Sequence, residues 1–179
     1  MPQYSDFVER IFLQPNLLGK LCPTAPLLWE LPKRIRDAEP QAISGGKTVT
    51  DQSVFALVRG ALFFAVDDLD AAHRIFQDEK SDLGSYCHGM LHRREPDFEN
   101  ARHWFRRAGR QPFFQRLHRE AAEHSAVMSR QSTWDPYLFT GECEQARHGA
   151  EEKNTELTRL QRTEFEVLFD YCWRQAVEG

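Results

Sequence analysis

The chain has 179 residues, a formal net charge of -4, 28% charged residues and 41% hydrophobic ones, which is enough for one core of ordinary size without disulfide or metal staples. So mild a balance excludes the footprint of a nucleic-acid binder and gives no electrostatic reason to sit on a membrane, so neither is expected as a partner. Cys22, Cys87, Cys143 and Cys172 form no C-x-x-C pair, and reduced thiols are expected. No apolar run approaches the roughly 18 residues of a membrane span. The start, Met1-Pro2-Gln3-Tyr4-Ser5-Asp6, has neither the basic residues nor the apolar stretch of a signal segment, so a cytoplasmic location is the expectation.

Ser5 is placed to cap a first short helix whose Phe7, Val8, Ile11 and Phe12 share a stripe, with Pro15 and Gly19 ending it. Prolines at 23, 26, 32 and 40 then allow only short helical or extended pieces around Leu27, Leu28, Trp29 and Leu31. Residues 1–50 are therefore expected as an irregular wrap over the core. Within it, Ile43-Ser44-Gly45-Gly46-Lys47-Thr48 has the end of a phosphate-binding loop, but Gln41 stands where that motif needs its first glycine and no apolar strand precedes it, so a plain loop is expected.

Thr50 or Asp51 can cap the next helix, from Val54 to about Val66, which is apolar nearly all the way round and so belongs in the centre. Asp68 caps a second helix with Leu69, Ala72, Ile75 and Phe76 on its apolar face, completing a helical hairpin. The same hairpin recurs 29 residues later: Val58 aligns with Cys87, Gly60 with Gly89, Leu62 with Leu91, Asp68 with Asp97, Leu69 with Phe98, Ala72 with Ala101, Ile75 with Trp104 and Phe76 with Phe105. The glycines permit close helix approach, the aspartates accept free N–H groups at helix starts, and the apolar positions face a shared core.

The order of a glycine in the first helix and then Asp97-Phe98-Glu99-Asn100-Ala101-Arg102-His103-Trp104-Phe105 in the second resembles the tetratricopeptide and Sel1-like class of helical repeats, over about residues 54 to 110. That resemblance implies two stacked helical hairpins. The string Ser85-Tyr86-x-His88-x-x-x-His92-Arg93-Arg94-Glu95-Pro96-Asp97, continued by Asn100, Ala101, Trp104 and Phe105, is similar to the signature of a family of uncharacterised bacterial and fungal proteins, from which no activity carries over.

Beyond the hairpins, Pro112 opens a helix to about Met128, and Trp134-Asp135-Pro136-Tyr137 reads as a turn leading into a short helix to Ala146. Gly149 breaks the chain before an acidic linker. Asn154 or Thr155 then caps a last helix with a continuous stripe of Leu157, Leu160, Phe165, Leu168, Phe169, Cys172, Trp173 and Ala176. Trp29, Trp134 and Trp173 are expected as packing anchors. No alternating strand appears. The fold class expected is all-α: two helical hairpins at 54–110, the N-terminal wrap and the C-terminal helices of 111–179, in a single domain over 1–179. The open ends of so short a stack need the wrap, the last helix or a homodimer contact as cover.

The repeat supplies an internal control for function. Where the first copy has Ala56, Arg59, Phe63, Phe64 and Ala65, the second has Ser85, His88, His92, Arg93 and Arg94. The spacing of three, four and three lets Ser85, His88, His92 and Glu95 converge on one helical face. A first reading makes Arg93 and Arg94, with Arg106 or Arg107 from the next helix, a bidentate cradle for an anionic small molecule or a peptide segment, in one polar pocket with Ser85, His88, His92, Glu95 and Asn100. That reading needs no cofactor. A second makes His88, His92 and Glu95 ligands of a metal ion, although the intervening residues lack the glutamate of the metalloprotease helix. A third uses His88 or His92 as an acid or base in a hydrolase or lyase, with no nucleophile elbow or cofactor loop beside them.

Overall fold

Short polar side chains decide where the helices begin, because each accepts one of the backbone N–H groups that a helix start leaves without a partner. In the computed structural model, which describes residues 3–146 and 151–177, Ser5 accepts from Val8 N at the start of α1 (Asp6–Phe12). Asp51 does so for α4 (Gln52–Ala65), Asp68 for α5 (Leu69–Phe76), Ser81 for α6 (Asp82–Arg94) and Asp97 for α7 (Phe98–Ala108). The Pro-rich segment holds α2 (Glu30–Asp37) and α3 (Pro40–Ser44). The C-terminal part holds α8 (Phe114–Ala122), α9 (Ala126–Ser129), α10 (Pro136–Ala146) and α11 (Glu151–Val177). No strand occurs among the described residues, and the fold is all-α.

Several local expectations need correction. The helix expected from Pro112 to Met128 is interrupted after Ala122, and Ser125 restarts it by accepting from Met128 N. The acidic stretch from Glu151 is already helical, so the final helix begins upstream of Asn154 and Thr155. The break expected at Gly149 lies outside the described residues. Trp29 is 83% exposed and anchors nothing, whereas Trp134 and Trp173 are buried as expected. The partial phosphate-loop motif is the left-handed C-cap of α3 at Gly45, followed by Lys47, whose Nζ donates to Gln3 O.

Helices α4 and α5 pack as one hairpin and α6 and α7 as the next, with α5 against α6, α7 against α10, and α11 across α4 and α8. A Cβ on Gly60 would stand 2.5 Å from Phe76 Cε1, and one on Gly89 2.7 Å from Phe105 Cδ1, so both hairpins close at a distance only glycine allows. Helix α6 is the element with neighbours on every side: each residue from Gly84 to Arg94 is buried.

Two of those buried residues carry charge. Arg93 makes a two-pronged ion pair with Glu164 of α11, both side chains being within 1% of complete burial. Tyr86 donates to Glu164 Oε1 at 2.7 Å, and Trp134 Nε1 donates to Tyr86 Oη at 2.8 Å. Arg94 pairs with Asp67 and donates to Phe64 O at 2.7 Å and Lys20 O at 3.1 Å, joining the N-terminal wrap, the end of α4 and α6. Burial pulls the Arg93 guanidinium down, and the Glu164 charge, Cys143, the Glu164 hydrogen bond and Tyr86 together more than offset it.

Removing one partner of such a pair leaves a charge in the core, which typically costs about 3–5 kcal/mol, whereas replacing both with apolar groups of similar volume is often tolerated. Arg93→Met is therefore expected to lose about that much in urea unfolding, and Arg93→Met with Glu164→Met to regain much of it. Equal losses in the single and double variants would contradict this account of the core.

Candidate metal centre

Pairing of Arg93 and Arg94 with the core turns the other side of α6 toward α5 and α7. There His88 and His92, one helical turn apart, stack with ring centroids 4.7 Å apart and 17° between planes. Trp104 of α7 stacks on His88 at 4.0 Å and 25°. His73, in the last turn of α5, meets both histidines edge-on, at 4.7 Å from His88 and 5.0 Å from His92. One nitrogen from each of His73, His88 and His92 lies within 4.8 Å of the other two.

Glu95, the C-cap of α6, faces two of these rings. Its Oε1 is 3.3 Å from His73 Nδ1 and its Oε2 is 3.0 Å from His92 Nδ1. The carboxylate favours the Nδ1–H tautomer of His73, to which it is hydrogen-bonded, and its charge favours the same tautomer of His92, whose Nδ1 lies close by without a directed hydrogen bond, as outer carboxylates orient metal-bound imidazoles. His73 Nε2 is then an acceptor, so the 2.9 Å contact between the two Nε2 atoms is a donation from His88. His88 Nδ1 is buried with no hydrogen-bond partner.

Electrostatics keep His88 neutral. His88 is pushed down to about 3, first by burial, then by His92 and His73, with a smaller push from Lys80 and only partial compensation from Glu95. Burial raises the Glu95 carboxyl, but its close contact with His92 and the His73 and His92 charges outweigh that and leave it below its usual value. Neutral imidazole is the form that binds metal. His88 and His92 are only 3% and 6% exposed, while His73 and Glu95 are partly open, so the cluster meets solvent on their side.

The residues expected to form one polar pocket are distributed differently. His88, His92 and Glu95 do come together. Arg93 and Arg94 point to the core with their carboxylates and present no free guanidinium, which corrects the anion cradle. Asn100 is exposed and donates through Nδ2 to Asp97 Oδ2 as part of the α7 cap, and Arg106 is exposed on α7. Ser85 is buried, and its Oγ has no hydrogen-bond partner. The residue missed is His73. It lies in the first hairpin, and only the packing of α5 on α6 reveals it.

The first hairpin shows the same helix position put to a structural use. Arg59, 29 residues before His88, donates to Ile35 O at 3.3 Å and Ala38 O at 2.9 Å, closing the groove against α2. In the second hairpin that groove holds imidazoles instead.

An unfolded histidine titrates near 6.5, while folded His88 stays neutral down to about pH 3. Its contribution to stability is therefore present above pH 6.5 and is lost as pH falls toward 3, because the unfolded chain takes up a proton that the folded site refuses. Glu95, also held low, acts in the same direction at lower pH. Urea unfolding of metal-free protein from neutral pH to about pH 4.5 should show falling stability, with a shallower fall in His88→Gln. An unchanged slope in that variant would contradict the assignment. No protein-family model, curated protein or solved structure matches this chain.

Proposed function

We propose that the protein binds one transition-metal ion through His73, His88 and His92, with Glu95 as the outer carboxylate that orients two of the three rings. The observation that carries this reading is the convergence of three ring nitrogens from two helices within 4.8 Å, two of them facing Glu95 from behind. A metal about 2.0–2.1 Å from each nitrogen places ligand nitrogens roughly 3.3 Å apart in a tetrahedral site. The 2.9 Å between His73 Nε2 and His88 Nε2 is near that value, and rotation of the rings on binding must close the rest of the triangle from within 4.8 Å. Imidazole donors suit zinc, copper, nickel and iron.

Three protein ligands leave a fourth position, on the side where His73 and Glu95 meet solvent. A water held there by zinc ionises near neutral pH, which would make the centre a hydrolytic site. A carboxylate or phosphate oxygen held there would make it a binding site for an anionic ligand. Both retain a partner of anionic character, now attached to the metal instead of to Arg93 and Arg94.

Untagged protein titrated with zinc, nickel and cobalt by calorimetry, with elemental analysis after dialysis, should hold one equivalent. His73→Ala, His88→Ala and His92→Ala should each weaken binding by roughly 100-fold or more, and Glu95→Gln by about 10–100-fold. His73→Ala is the most discriminating, since His73 lies outside α6. Absence of stoichiometric metal, or equal affinity in His73→Ala and parent, would rule the reading out.

A further inference from the structure

A cavity of about 350 Å³ lies where the end of α7, the start of α8 and the start of α10 meet. This size is at the lower end of small-molecule pockets, roughly 300–1,000 Å³. Tyr137, 39% exposed, gives its open apolar face, and Phe105, Phe114, Trp134 and Pro136, all of them buried, stand behind it. Aromatic and proline carbon on several sides suits a flat ring.

The polar groups of the cavity are few. Thr133 Oγ1 is buried and has no hydrogen-bond partner, a condition that costs free energy unless an incoming atom relieves it. Arg110 is exposed, and no carboxylate among the described residues pairs with it. It follows Gly109, whose φ of 61° and ψ of -154° belong to glycine and turn the chain away from the axis of α7. A guanidinium carried there is free to grip a carboxylate with two parallel hydrogen bonds. Asp135 also lines the cavity, but its Oδ1 already accepts from Tyr137 N at 2.8 Å and Leu138 N at 3.2 Å. Its charge disfavours a second negative charge on any occupant.

We propose that this cavity binds a small aromatic monocarboxylate, its ring on Tyr137 and the edge of Phe114, and its carboxylate held by Arg110 and the Thr133 hydroxyl. The site is separate from the histidine cluster and does not depend on a metal. Among anions, Asp135 selects a monocarboxylate over a phosphate dianion.

Phenylacetate is the probe, with benzyl alcohol and phenyl phosphate as comparisons, measured by calorimetry and thermal shift on metal-free protein. Phenylacetate should bind and raise Tm, while benzyl alcohol and phenyl phosphate should each bind about tenfold more weakly. Arg110→Ala, a surface change, should leave the melting temperature of the free protein unchanged and weaken phenylacetate about tenfold. Thr133→Val should weaken it severalfold without loss of stability, because it removes a buried hydroxyl that has no partner. His88→Ala should bind phenylacetate as the parent does. The proposal is overturned if phenylacetate fails to bind at about 10 mM, if Arg110→Ala binds it as well as the parent, or if phenyl phosphate binds more tightly.

Discussion

The structure depends on the pairing of two buried arginines at the end of α6. A guanidinium cannot lie in an apolar core without a carboxylate and acceptors around it, because the desolvation cost is several kcal/mol. Glu164 and Asp67 meet that requirement from α11 and from the turn after α4, so Arg93 and Arg94 lock the rotation of α6 about its own axis. With a rotation of about 100° per residue, fixing those two side chains also fixes where His88 and His92 point. The ion pairs are in this sense the foundation of the histidine cluster, although neither arginine touches it.

The cluster has properties that packing alone does not ask for. Burial and two neighbouring imidazoles disfavour a proton on His88, and a core built only for stability is better served by apolar side chains. The first hairpin supplies such a solution, with Phe63 where the second has His92, and with Arg59 spending its hydrogen bonds on backbone carbonyls. In the second hairpin the rings are held from behind by Glu95, from the side by Trp104 and at the edge by a helix from the preceding hairpin. His73 Nε2 accepts the proton on His88 Nε2, the place that a metal ion would take.

Much of the fold was legible in the sequence because caps and periodicity are local signals. Ser5, Asp51, Asp68 and Asp97 cap the helices that their positions predicted, and Gly60 and Gly89 lie where the two helices of each hairpin leave no room for a Cβ. Three of the four site residues were legible for the same reason, since His88, His92 and Glu95 lie on one helix at spacings that bring them together. His73 was not, because its proximity depends on how two helices pack. Arg93 and Arg94 were misplaced by the ordinary rule that arginine faces water. The exception depends on Glu164, 71 residues away from Arg93, and no local pattern links the two. Trp29 failed in the opposite direction: a large aromatic ring beside prolines looked like an anchor and is exposed.

The claim at the centre of this account is that α5 and α6 together form one metal site. The most direct measurement is anomalous diffraction at the zinc edge from crystals of untagged protein grown with zinc. The account predicts one strong peak about 2.0–2.1 Å from a nitrogen of each of His73, His88 and His92, with Glu95 Oε1 and Oε2 still on the far nitrogens of His73 and His92. A peak only at surface histidines such as His103, or the three rings still in mutual contact with no peak between them, would contradict it.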